Sequence, residues 1–444
     1  MASEERSPLY RRPVELVQNL IRFDTTNPPG NEAACIEHIN GLLTQAGFET
    51  TLLARDEARP NLVTRLAGQG LAPPLLMYGH VDVVTAAGQD WTHPPFAGEV
   101  ADGYIWGRGA LDMKGEIAMM LAALLRAKAE GLVPPGDVVL AVLSDEEAGG
   151  DLGARYLVEN HPELFQGIRY AIGEAGGFTF HVGGRRLYPI MVAEKQLCWM
   201  RATVRGRGGH GSMPVHRGAM AKLARLLQRL DERRLPVHVT PVARQMIKDI
   251  AAALPSLQGL VLRQLLNPAL TNSVLNLLGS MGEVLDPLLH NTVSPTILQS
   301  CDKINVIPSQ VSVDLDGRLL PGYCVDDMFA ELRTLIGDEV ELEVLRSEPC
   351  PPEPDMGLFD TLAGILREAD PGAVPSPLLM AGVTDGRHFA RLGIQTYGFT
   401  PMKMQPGLDY WKLAHGPDER IPVEALDFGV EALHQLLQRF GKGH

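Results

Sequence analysis

Cysteine is scarce and scattered in this 444-residue chain: Cys35, Cys198, Cys301, Cys324 and Cys350, with no CxxC pair. An odd, dispersed set predicts reduced thiols rather than a disulfide framework or a thiolate metal site. Long apolar runs are missing too. None approaches the ~18 residues a membrane span requires, and the opening MASEERSPLYRRP has no apolar core of the kind a secretory signal needs. These absences together predict a cytoplasmic protein with no membrane partner. Excess positive charge is also absent. The formal net charge of -13 gives a field that repels nucleic acid and anionic membranes. No GxSxG elbow, HExxH helix, P-loop, internal repeat or low-complexity tract occurs. Gly206–Gly211 does fit GxGxxG, but the preceding segment alternates and carries Arg201 and Arg205, unlike the buried parallel strand a dinucleotide site needs.

What is present is the composition of a globular protein, with 45% hydrophobic and 21% charged residues. Single cores stop growing at roughly 250–300 residues, so the length predicts two domains. Residues 12–48 read as two helices broken at Asn27-Pro28-Pro29-Gly30. Apolar runs then recur at 74–84, 137–144 and 170–173, with helical segments at 113–130 and 151–160 between them. This alternation predicts an α/β class with a mixed, largely parallel sheet flanked by helices. From 195 the pattern alternates polar and apolar, and it does so again at 310–319. The expectation is an inserted α+β domain over 195–320, with 1–194 and 321–444 forming the first domain and a closing helix at 423–440.

Histidines and carboxylates cluster where apolar strands end, the place where open α/β sheets bind ligands. The first run ends in Gly79-His80-Val81-Asp82. Two residues apart on a strand, His80 and Asp82 share a face, so the carboxylate can accept one ring N–H while the other nitrogen binds a metal. Asp112 lies in a glycine-rich turn ahead of the helix 113–130, where a plain N-cap is the structural alternative. The second run ends in Asp145-Glu146-Glu147, acids that repel one another unless a cation neutralises them or water solvates the turn. On extended backbone the two glutamates face opposite ways, one suited to metal ligation and one to general-base work. Glu174 ends the third run, and His415 sits in a loop before the last helix. Asp112, Glu147 and Glu174 carry three negative charges, which two divalent cations and one hydroxide balance. Nitrogen and carboxylate ligands without sulfur suit zinc, with cobalt or manganese as substitutes.

The segments GHVDVV, WTHPPFAGEVADGYIWGRGALDMKG, SDEEAGG, GHGSMP, KINVIP and GVTDGRHFARLGIQTYGFTPM together resemble the M20 metallopeptidases, in family order from about residue 12 to 440. Their wording is most similar to the carboxypeptidase S and aminoacylase-like members. The resemblance implies two Zn2+ ions bridged by Asp112, with His80 and Glu174 at one and Glu147 and His415 at the other. It implies Glu146 as general base, Asp82 orienting His80, and a cis peptide between Asp112 and Met113. The inserted domain would be a lid that forms a homodimer. His210 would stabilise the oxyanion in a partner subunit's site, Asn305 and Arg318 would contact substrate, and the loop containing Gly382 would line the pocket. The implied reaction is hydrolysis of an amide or peptide bond beside a free carboxylate, of carboxypeptidase or dipeptidase type, by a hydroxide bridging the ions. An N-acyl-amino-acid deacylase would use the same chemistry. A binding homologue without catalysis is the alternative of another class, and it predicts loss of a ligand or of the base. All are present.

Overall fold

The apolar runs Leu75–His80 and Val138–Leu143 are strands buried along their whole length, as expected of a sheet covered on both faces. In the computed structural model, which describes residues 8–349 and 353–441, the chain divides into two compact units. The first comprises Met1–Val192, Asp355–Leu378 and Thr384–His444, and the second Ala193–Pro354 with Leu379–Val383.

The main sheet centred on the first unit contains β1 (Thr50–Leu53), β2 (Asn61–Leu66), β3 (Leu75–His80), β4 (Val138–Leu143), β5 (Tyr170–Gly173), β6 (Arg185–Glu194), β7 (Ala373–Met380) and β8 (Gln395–Gly398). With Phe180–Val182 paired to β6 they form a nine-stranded sheet in the order β1-β2-β4-β3-β5-β8-β6-β7. The centre is parallel: β3 pairs with β4 and β5, and β5 with β8. The β1–β2, β2–β4 and β8–β6 pairs are antiparallel, so the sheet is mixed. The helix Lys114–Ala129 is buried nearly all round and packs against β3 and the helices Pro13–Ile21 and Val423–Arg439.

The second unit contains an antiparallel sheet ordered Thr292–Gln299, Gln310–Leu319, Gln196–Arg205, Glu341–Ser347. Alternate residues Cys198, Met200, Ala202 and Val204 pack beneath the helices Ala219–Glu232 and Val325–Ile336. The expected boundary at 320/321 therefore falls too early. Val325–Ile336 shares this core and Glu341–Ser347 pairs with Gln196–Arg205, so the return to the first unit comes at Asp355.

One further expectation is corrected. Cys324 is disulfide-bonded, whereas Cys35, Cys198 and Cys301 are free; Cys350 lies outside the described residues. Dispersed cysteines therefore give no support for a cytoplasmic location. Among the described residues no helix is long and apolar enough to cross a membrane.

Candidate metal centre

His80 closes β3 and is the register partner of Leu143, the last residue of β4. Glu174 directly follows β5. The carboxyl ends of three neighbouring strands thus present His80, the Ser144–Glu147 turn and Glu174 side by side, with Asp112 and His415 arriving on loops. His80 Nε2 lies 3.2 Å from Asp112 Oδ1 and 3.7 Å from Glu174 Oε2. His415 Nε2 lies 3.0 Å from Asp112 Oδ2 and 3.2 Å from Glu147 Oε1. The two oxygens of Asp112 therefore face different histidines. The Asp112–Met113 peptide is cis. The N-cap alternative fails, because both carboxylate oxygens are engaged by histidines and no side chain caps Lys114–Ala129.

The glutamate pair departs from the extended geometry expected. Asp145 adopts a left-handed backbone, φ 74°, and Glu146–Ala148 form a short 3-10 turn. The turn, rather than a pleat, separates the side chains: Glu147 approaches His415, while Glu146 lies beside His80 and Glu174, their ligating atoms within 4.8 Å of one another. Asp82 also differs in detail. His80 Nδ1 is nearer the Asp82 backbone carbonyl, at 3.0 Å, than its carboxylate, at 3.4 Å. That carboxylate accepts the N–H groups of Glu146 and Glu147, each at 3.1 Å, and the Asn27 amide at 2.8 Å.

The electrostatics are those of crowded acids. Burial, then the charge of Glu174, raises Glu146 well above the ordinary carboxylate range. Burial and the Asp112 charge push Glu147 up to about 7. Although burial opposes it, bonds from His415 and His80 hold Asp112 low. Among the described residues no lysine or arginine forms an ion pair with Asp112, Glu147 or Glu174. Glu147 Oε1 is buried without a hydrogen bond of adequate geometry, despite the nearby His415. A buried carboxylate oxygen without a well-aligned donor, in a nest of carboxylates and imidazoles, fits a divalent cation.

In the second unit, His210 and Asn305 are brought together. Gly209–His210 pairs with Val306–Ile307, and Gly211 N–H donates to the Asn305 carbonyl at 2.8 Å. The exposed His210 ring contacts Ser212 Oγ at 2.7 Å. Arg318 lies on the other sheet of that unit, donating to Asp316 at 2.8 and 3.1 Å. Gly382 stands after β7, where an added Cβ would be 3.4 Å from Met380 Cε.

Reading the sequence missed several residues that shape the centre. Asn27 was read only as a helix break. Arg387 and His388 both contact the Gly149 carbonyl behind the Glu146–Ala148 turn, at 2.8 and 3.2 Å. Glu419, fully buried, accepts N–H groups of Gly109, Leu111 and Asp112. The signals available are an amide or acid close to a ligand-bearing turn for Asn27 and Glu419, and a place within the GVTDGRHFARLGIQTYGFTPM segment for Arg387 and His388.

Comparison with known proteins agrees with this geometry. The chain is 28% identical over 394 residues to a probable carboxypeptidase S-like 2 of Dictyostelium discoideum, covering 83% of this chain and 72% of the relative. It is 29% identical over 375 residues to the N-fatty-acyl-amino acid synthase/hydrolase PM20D1 of Xenopus tropicalis, covering 82% and 72%. The fold is similar to that of an M20 family metallo-carboxypeptidase from Sulfolobus solfataricus, with a TM-score of 0.68, 18% identity, and 96% and 98% of the two chains covered. Residues 76–439 match the description of peptidase family M20/M25/M40. A centre built at the ends of β3, β4 and β5 thus lies inside a segment with a recognised pedigree, and the chain belongs to the peptidase family M20/M25/M40, whose members hydrolyse peptide or other C–N bonds.

Proposed function

We propose that this protein is a dinuclear zinc hydrolase that cuts an amide or peptide bond beside a free carboxylate, as a carboxypeptidase or dipeptidase does. The observation that supports it most is the facing of the two Asp112 oxygens toward His80 and His415, with Glu174 and Glu147 alongside. His80, Asp112 and Glu174 would hold one ion, and Asp112, Glu147 and His415 the other, with cobalt or manganese as substitutes. Bound zinc supplies Lewis acidity that lowers the pKa of water and polarises a carbonyl. Glu146 takes the proton of the attacking water and returns it to the leaving nitrogen, standing beside His80 and Glu174 where that water would be held. Asp82 orients His80 and holds the turn that carries Glu146. His210 and Asn305 donate to the developing oxyanion in a partner subunit's site of a homodimer, and Arg318 exchanges Asp316 for the substrate carboxylate. The loop at Gly382 lines the pocket.

The relative named as an N-fatty-acyl-amino acid synthase/hydrolase favours a second reading, hydrolysis of N-acyl amino acids by the same groups. Purified full-length chain, stripped and reloaded with zinc, should hydrolyse members of a panel of dipeptides and N-acyl amino acids. The better substrates choose between the readings. Activity that survives chelation, or zinc-loaded protein inert on the whole panel, overturns the proposal, and the latter result marks a binding homologue.

A further inference from the structure

Glu419 is fully buried, and each of its carboxylate oxygens has two donors. Oε2 accepts Arg108 Nη1 at 2.7 Å and Gly109 N–H at 3.0 Å. Oε1 accepts Leu111 N–H at 2.7 Å and Asp112 N–H at 3.0 Å. Its own carbonyl accepts Gly107 N–H at 2.9 Å. One side chain thus fixes the whole turn that presents Asp112. Within that turn Gly109 takes φ 82°, open to glycine, and an added Cβ would be 2.8 Å from Val83 Cγ1.

The same network reaches the second histidine. Arg108 Nη2 donates to the His415 carbonyl at 3.2 Å and to Gln89 Oε1 at 2.8 Å, and Gln89 Nε2 donates to that carbonyl at 3.0 Å. His415 has a left-handed backbone, φ 64°, and its side chain is 53% exposed. Packing alone therefore does not aim its ring; the backbone position and the contacts with Asp112 and Glu147 do.

We infer that Glu419, acting through Arg108 and Gln89, is a positioning residue that locks the Asp112 turn to the His415 loop and so fixes the spacing of the two metal sites. This inference rests on the dinuclear reading above. Partners of this kind set ligand orientation, and their loss commonly weakens metal binding by roughly 10- to 100-fold.

The test uses full-length chain. Zinc stoichiometry and affinity are measured by competition with a chromophoric chelator, beside kcat, KM and the melting temperature of the metal-free form. Glu419→Gln should weaken one zinc equivalent about 10- to 100-fold, lower kcat more than it changes KM, and recover turnover in saturating zinc. Asp370→Asn, which breaks a half-buried arginine–carboxylate pair with Arg186, should lower the melting temperature and leave zinc affinity unchanged. A Glu419→Gln protein with wild-type zinc affinity, or one behaving as Asp370→Asn does, overturns the inference. If Glu419→Gln does not fold, the half-exposed Gln89→Ala decides. Several-fold weaker zinc supports the inference, and unchanged zinc overturns it. Wild-type chain that binds no zinc pair instead overturns the proposed function, a result read separately from the variants.

Discussion

Asp82 receives the backbone N–H of Glu146 on one carboxylate oxygen and that of Glu147 on the other, each at 3.1 Å. A residue named first as a partner of His80 thus also carries the turn bearing the proposed base. Asp82→Asn keeps the shape but presents one acceptor oxygen instead of two, so one of these N–H groups faces an amide NH2. Turnover should fall roughly 10- to 100-fold with both zinc equivalents retained. Unchanged kcat, measured at saturating substrate, would remove this role.

Glu146→Gln tests the base itself. Glutamine cannot take up a proton, so kcat should drop about 10²- to 10⁴-fold while zinc content, measured by atomic emission, stays at the wild-type level. An active variant assigns the proton transfer elsewhere.

Removing metal should destabilise the first unit, because Glu147 Oε1 and its neighbouring acids lose their counter-charge. Each site filled at 100-fold above its dissociation constant contributes about 2.7 kcal/mol. Calorimetry should show the melting temperature falling by several degrees on chelation and recovering with zinc. Equal melting curves with and without chelator would contradict a bound pair.

Asp370, paired with Arg186 and Tyr188, offers a test of acid sensitivity. Two bonds from Arg186, each 2.6 Å, hold it at about 2 against burial, with the Tyr188 hydroxyl adding a third. A carboxyl lowered from 3.8 in this way stabilises the fold above pH ~4, and the contribution disappears as pH falls toward 2. After allowance for solvent screening it is about 1 kcal/mol. Denaturant titrations of wild type and Asp370→Asn should therefore differ at neutral pH and converge near pH 2. A constant gap would refute the linkage.

The exposed His210 is expected to work in trans. His210→Ala should lose activity and keep its metal, and mixing it with Glu146→Gln should restore part of the rate. Mixtures as inactive as their parents would confine the residue to its own chain.

The strand-end members of the centre could be read from sequence because the apolar runs stop abruptly at His80, Ser144 and Gly173, leaving ligands in plain view. Asp112 and His415 stand on loops: a glycine-rich turn ahead of a helix marks the first, whereas the second lies outside the quoted family segments and has only its place before the last helix to mark it. Glu419 and Asn27 escaped because their partners are backbone N–H groups or distant carboxylates, which leave no residue-type signature. The second unit's boundary escaped for a related reason. Val325–Ile336 reads as a helix and Glu341–Ser347 as a strand whichever sheet they join, and the pairing with Gln196–Arg205 is invisible until the chain is folded.

The His415 loop comes late in the chain, after the polypeptide has left the first unit, built the second and returned. A nascent chain halted before that loop lacks His415, lacks the Glu419 carboxylate that holds the Asp112 turn, and lacks the helix Val423–Arg439 that packs on Lys114–Ala129. Completion of the proposed zinc pair thus waits until the His415 loop and Glu419 have been made, so that a product truncated before them would be left metal-poor and inert rather than an unregulated hydrolase.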